Sequence, residues 1–198
     1  MRGRFFFILA LFLCAAGIPV HGQKSALLLI DIQEYYFPGG GLQLENSEVA
    51  GMNAGLLLEQ FRENGLRVYH VVHDFDPGGN IHYYVQPRPG EIVISRDQVN
   101  PFLGTDLLGN IRADSIGQLV ICGMQTHMCV EAAVRAAHDF GISCLLVSDA
   151  CATRALQYED HIVPAKNVHH STLGTLQGTY ARVVSTEELL RRFEEFVK

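Results

Sequence analysis

The chain has 198 residues, 48% of them hydrophobic and 18% charged, a size and balance that suit one folded domain with one sizeable core. A formal charge of −6, with no long Lys/Arg run, leaves no electrostatic footprint for nucleic acid or an anionic membrane. There is no low-complexity tract and no internal repeat.

The first 22 residues stand apart from the rest. "MRGR" is basic, "FFFILALFLCAA" is apolar, and "GIPVHG" supplies small residues. That order predicts a secretory signal over 1–22, because the apolar run is too short to serve as a membrane-spanning helix. Cleavage fits after Gly22 or after Gly17. The expectation is a secreted or periplasmic mature protein with one domain over 23–198 and no membrane partner. Cys14 leaves with the leader, and Cys122, Cys129, Cys144 and Cys151 remain. Two disulfides are conceivable in an exported chain. However, Cys122 and Cys144 lie in strand-like apolar runs, where a free Cys behaves as a small hydrophobe.

In chain order, "SALLLID" (25–31) is an apolar strand ending in a carboxylate, and "SEVAGMNAGLLLEQFREN" (47–64) has helical apolar spacing closed by Gly65. "LRVYHVVH" (66–73) and "GEIVIS" (90–95) read as strands, separated by a Gly- and Pro-rich loop over 74–90 of the kind that shapes a pocket. "QLVICGM" (118–124) and "SCLLVSDA" (143–150) are buried strands, each followed by a helical pattern. "ARVVS" (181–185) precedes the final helix, "TEELLRRFEEFVK". Strands apolar throughout and separated by helices predict a doubly wound α/β sandwich with a mainly parallel, roughly six-stranded sheet. Its crevice should form at the carboxyl ends of the strands, where the strand order reverses beside the first strand.

Two residues fall at that point. Asp31 ends the first strand, where a carboxylate is costly unless it faces a cavity or has partners. Cys129 follows the strand–turn "CGMQTHM" and opens a helix, whose N-terminal N–H groups favour a thiolate and can hold an oxyanion. Read alone, that thiol fits core packing better than catalysis. Beside a carboxylate, it becomes the pairing that general-base activation of a nucleophile requires. Gln33, Tyr36 and Phe37, just beyond the first strand, are placed to line a substrate pocket. His70, His73 and His82 with Asp74 and Asp76 raise a metal site, but His70 and His73 are three apart in one strand and point to opposite faces. No metal is therefore expected. With no Gly-rich phosphate loop, no nucleotide or other cofactor is expected either.

The segments "ALLLIDIQEYYF", "GEIVISRDQVNPFLGTDL", "VICGMQTHMCVEAAVRAA" and "VSDACATR", in this order and spacing, resemble the isochorismatase-like cysteine hydrolases, among them nicotinamidases and N-carbamoyl amidohydrolases. The resemblance covers roughly residues 25–190 and implies a parallel α/β sandwich, in accord with the pattern above. It implies a catalytic Asp, Lys and Cys that hydrolyse amide-type C–N bonds through a thioester, the Asp at Asp31 and the Cys at Cys129. It also implies a cis peptide between Met124 and Gln125, which with Cys129 forms an oxyanion hole. The Lys should stand six residues before Phe102, where this chain has Arg96. An arginine there can stabilise a thiolate, hold Asp31 or clamp an anionic substrate, but it does not readily give up a proton. The family's metal ligands after the second strand are matched only by "DPG" at Asp76–Gly78, so no metal is carried over.

The expectation is an exported cysteine hydrolase of a small amide, imide or ureido-type substrate, and the resemblance adds a homo-oligomer. The alternative is a small-ligand-binding protein that kept the fold and lost catalysis through Arg96.

Overall fold

A computed structural model describes residues 24–198, so the leader expected over 1–22 lies outside the described residues. Six strands form one parallel sheet: β1 (Lys24–Ile30), β2 (Arg67–His73), β3 (Ile92–Arg96), β4 (Ile116–Met124), β5 (Ser143–Ala152) and β8 (Arg182–Val184), ordered β3-β2-β1-β4-β5-β8. The doubly wound parallel sheet is the one the apolar runs predict. The chain winds outward from β1 in both directions, so the order reverses between β1 and β4, where Ile30 pairs with Gly123.

Right-handed crossovers then place the helices on two faces. On one side, α1 (Ser47–Glu63) packs against the sheet and against α5 (Thr186–Arg191). On the other lie α2 (Leu107–Ala113), α3 (Glu131–Asp139) and α4 (Ala165–Leu176). Residues 26–30 of β1 are buried because both faces of the central strand are covered, so none of these five side chains alternates toward solvent. Truncating one of them, Leu28, to Ala costs about 3 kcal/mol.

Three features lie beyond the sequence pattern. A short hairpin of β6 (Leu156–Tyr158) and β7 (His161–Val163) projects between β5 and α4. Helix α2 is a further addition. The expected last helix breaks at Arg192 into α5 and α6 (Phe193–Phe196), which turns Phe193 edge-on to Phe61 of α1, with ring centroids 5.3 Å apart. The C-terminus is then tied to β1 by Ser25 N–H donating to the Lys198 carbonyl at 2.7 Å.

Candidate active site

Asp31 sits one residue past β1 with φ of 49°, a left-handed conformation that Asp tolerates better than most residues. Its backbone N–H donates to the Val71 carbonyl, at 2.9 Å, so the carboxylate is aimed from a fixed main chain. Arg96 arrives from the end of β3, and its Nη2 donates to Asp31 Oδ2 at 2.5 Å. The other guanidinium nitrogen, Nη1, donates to the Gln98 carbonyl. Both ends of the pair are sealed, with Asp31 at 0% and Arg96 at 5% exposure.

Cys129 reaches the same point from β4. At Gly123 the φ is +132°, and a Cβ there would lie 2.0 Å from the Ile30 carbonyl oxygen, so only glycine lets β1 and β4 approach this closely. The next peptide but one, Met124–Gln125, is cis, as the family resemblance implies. A wide π-type turn, Thr126–Val130, then carries Cys129 before α3 begins at Glu131. The Gln125 carbonyl closes that turn by accepting from the N–H groups of Met128 at 3.0 Å and Val130 at 3.3 Å. The thiol lies close enough to the Asp31 carboxylate and the Arg96 guanidinium for each charge to act on it. The three residues that the resemblance nominates thus meet in one buried cluster at the switch point.

The electrostatics correct one expectation. A helix N-terminus should favour the thiolate, yet burial pushes the Cys129 thiol up to about 12, and the adjacent Asp31 charge raises it further against the opposing pull of Arg96. The turn's dipole is outweighed because almost no water reaches the sulfur. Burial also raises the Asp31 carboxyl from 3.8, despite the Arg96 charge beside it. Both shifts have the same sign, so the thiol and the carboxyl beside it each hold a proton more tightly than in water.

The expected pocket residues divide. Tyr36 is buried against the cluster, and its hydroxyl is raised in pKa mainly by that burial. Phe37 stacks on His82 at 3.5 Å between centroids and lines a cavity of about 420 Å³ with Glu34, Gly39, Gly78 and Tyr83. Loop 74–90 does wall that cavity. Gln33 does not line a pocket: its amide donates to the His73 and Gly79 carbonyls at 2.8 and 2.7 Å and accepts from His73 N–H at 2.8 Å. All its polar capacity goes into strapping loop 74–90 to β1 and β2.

His73, at the carboxyl end of β2, lies close enough to Asp31 to act on its charge, and its buried Nδ1 has no hydrogen-bond partner. Its position at a strand end was the available signal. His70 faces the other way and hydrogen-bonds Glu91 at 2.9 Å. Among the described residues no three His, Cys, Asp or Glu side chains converge to hold a metal ion. Cys122, Cys129, Cys144 and Cys151 are all free and buried.

Three polar atoms of the cluster are buried and unpartnered: Asp31 Oδ1, Arg96 Nε and Gln125 Oε1. Unpaired groups in a low-dielectric site are costly, and they mark where an incoming molecule can supply the missing bonds.

A family model for the isochorismatase domain matches residues 25–188. An uncharacterised isochorismatase family protein of Bacillus subtilis, YddQ, is 45% identical over 180 residues, covering 85% of this chain and 100% of that one. Maleamate amidohydrolase of Pseudomonas putida is 25% identical over 196 residues, covering 86% and 87%. A solved isochorismatase hydrolase structure from Oleispira antarctica superposes with a TM-score of 0.82 at 40% identity, covering 86% of this chain and 97% of the other.

Proposed function

Because the chain belongs to the isochorismatase family of hydrolases, we propose that it cleaves the C–N bond of a small carboxamide or ureido compound with Cys129 as nucleophile. The observation that carries this reading is the buried Asp31–Arg96–Cys129 cluster with its three unpartnered atoms. Two acceptors, Asp31 Oδ1 and Gln125 Oε1, and one donor, Arg96 Nε–H, stand open. An H₂N–C(=O) group presents the complement, two N–H donors and one carbonyl acceptor. The amidohydrolase relative acts on a group of this kind by its name.

The chemistry follows from the protonation states. A thiol at about 12 is not ionised in advance, so its proton passes to Asp31 as the sulfur attacks the carbonyl carbon. The carbonyl π electrons move onto oxygen, and the backbone N–H groups of Gln125 and Cys129 hold that oxyanion. Collapse breaks the C–N bond, and Asp31 returns the proton to the leaving nitrogen, which departs as ammonia. Water then attacks the thioester, giving up its proton through Asp31. The acid product leaves and the thiol is restored. Arg96 keeps its charge throughout, which holds Asp31 oriented and offsets the negative charge that builds on sulfur and oxygen. On this reading the residue acts electrostatically and shuttles no proton.

A screen of small primary amides and ureas, read by ammonia release, tests this on wild type, Cys129→Ser and Arg96→Lys. The expected result is turnover of at least one compound, a loss of about 10³-fold or more in Cys129→Ser, and at most about a 10-fold change in Arg96→Lys. Full turnover in Cys129→Ser would sink the mechanism. The same screen measures the alternative, a ligand-binding protein without catalysis, which the closed site and protonated thiol favour. That protein would show amide-dependent rises in melting temperature with no ammonia. Export belongs to the proposal as well: the secreted chain should begin at Gln23 or Ile18, which N-terminal mass analysis of the mature protein decides.

A further inference from the structure

The turn that carries Cys129 is held from a second direction, away from Asp31 and Arg96. Its first residue, Thr126, is fully buried, and its hydroxyl lies 3.1 Å from the Ala152 carbonyl and 2.9 Å from His169 Nδ1. His169 stands on α4 and shares a cavity lining with Ser148 of β5. The next residue, His127, bonds through Nδ1 to Thr153 Oγ1 at 2.6 Å. The backbone bonds of the turn join it to its own flanks, the Gln125 carbonyl accepting from Met128 and Val130 and the Thr126 and Met128 carbonyls accepting from Glu131 at the start of α3, and none of them reaches β5 or α4. Its placement relative to β5 and α4 therefore depends on side chains, and Thr126 is the only one of the two anchors that is fully buried.

We propose that His169 is a positioning residue for catalysis: through Thr126 it fixes the turn that sets both Gln125 and Cys129 against Asp31. His169 touches neither the thiol nor the groups open to substrate. It lines a cavity of about 320 Å³ with Glu45, Asp149, Cys151, Thr153 and Lys166, so the space beside it lets the ring swing away if its bond to Thr126 is lost. A misplacement of about 1 Å at a nucleophile costs on the order of 10²-fold in rate, so a single hydrogen bond at this distance from the chemistry has leverage.

Thr126 has one hydroxyl proton for two neighbours. Either it donates to Ala152 and His169 N–H donates to Thr126, or it donates to His169 Nδ1. An asparagine at 169 satisfies both arrangements, because its amide offers a donor and an acceptor near the Nδ1 position. A leucine satisfies neither.

The inference rests on Cys129 as the nucleophile, and its test is chosen to need no substrate. The rate of iodoacetamide labelling at Cys129, resolved by peptide mass, is measured at pH 9 for wild type, His169→Leu, His169→Asn, Thr126→Val and the His169→Leu/Thr126→Val pair. The expected result is at least a 5-fold change in labelling rate for His169→Leu and for Thr126→Val, and recovery to within 2-fold in His169→Asn. The double variant should change no further than either single one. Where a substrate is in hand, kcat falls by about 10-fold in His169→Leu while KM stays within 2-fold. Labelling unchanged in His169→Leu overturns the proposal. So does an Asn variant as impaired as the Leu variant, because packing alone would then explain both. Should His169→Leu fail to fold, the isosteric Thr126→Val decides the same question. Turnover persisting in Cys129→Ser would refute the nucleophile and leave the labelling result standing as a statement about the turn.

Discussion

Two buried charge clusters flank the sheet strand β2, and they are built in opposite ways. On one side His70, Glu91 and Arg62, with Glu59 and the Gln86 and Arg88 backbone, leave no buried side-chain polar atom unpaired. Arg62 Nε and Nη2 donate to Glu91 at 2.7 and 2.8 Å, the Arg88 N–H donates to it at 2.9 Å, and His70 Nε2 lies 2.9 Å from the same carboxylate. On the other side Asp31, Arg96 and Gln125 leave three buried polar atoms without partners. The pKa shifts follow. Burial would raise the Glu91 carboxyl, but its donors outweigh burial and bring it down to about 2, whereas burial wins at Asp31 and raises it. A carboxylate with its lone pairs filled is a structural tie. One with a lone pair open and its proton affinity raised is available for chemistry.

The largest expected effect breaks the open cluster. Asp31→Asn keeps an acceptor for Arg96 and removes the base, so turnover should fall by about 10²- to 10⁴-fold. Its melting temperature at pH 7 should not fall. The sign follows from the raised folded-state pKa: Asp31 favours the fold only when protonated, and that contribution is lost as pH rises through the folded value. An inactive and equally stable Asp31→Asn marks strain kept for function. A clear loss of stability at pH 7 would instead make Asp31 a tie like Glu91.

Next in size is the closed cluster. Glu91→Gln leaves Arg62 short of its carboxylate and should destabilise the fold by about 3 kcal/mol, read by denaturant titration, with kcat of the folded enzyme unchanged. The pH dependence has the reverse sign to that of Asp31. Glu91 has a depressed folded pKa, so its contribution is complete above its ordinary 4.5 and is lost as pH falls toward 2. The acid limb of a stability-against-pH curve should flatten in Glu91→Gln. A kcat loss in that variant would blur the distinction between the clusters.

A smaller effect belongs to the charge that pairs with Asp31. Arg96 spends one nitrogen on Asp31 and another on the Gln98 carbonyl, which is more reach than a single ammonium has. Arg96→Lys should keep the contact with Asp31 and lose the second one, for at most about a 10-fold fall in turnover, whereas Arg96→Met should lose about 10²-fold. Equal loss in both would mean that the forked geometry, and not the charge, is what the site needs.

These clusters also separate what the chain reveals on reading from what it does not. The six parallel strands, the switch point and the meeting of Asp31 with Cys129 follow from continuous apolar runs and the residues that end them. The thiol's protonation state does not, because it depends on how much water β1, β4 and Tyr36 exclude together, a property of packing across the chain. Gln33 misleads for a related reason. A polar residue at a strand end fits a ligand or a loop backbone equally well, and only the position of His73 and Gly79 in space shows that it serves the loop. The hairpin β6–β7 escapes because Leu156–Val163 is largely exposed and lacks the alternation that marks a half-buried strand.

The smallest expected effect tests where the closed cluster ends. Arg88 reaches Glu59 at 3.0 Å, but both side chains are at least half exposed, so the pair sits in water. The charge attraction there is screened, and ordering two long side chains offsets most of what remains. Arg88→Ala should therefore shift stability by less than about 0.5 kcal/mol and leave turnover untouched. Its backbone N–H still donates to Glu91 after the substitution, so the buried part of the cluster keeps that bond. A shift approaching that of Glu91→Gln would mean that the guanidinium of Arg88 belongs to the buried tie and that the cluster extends to the surface of α1.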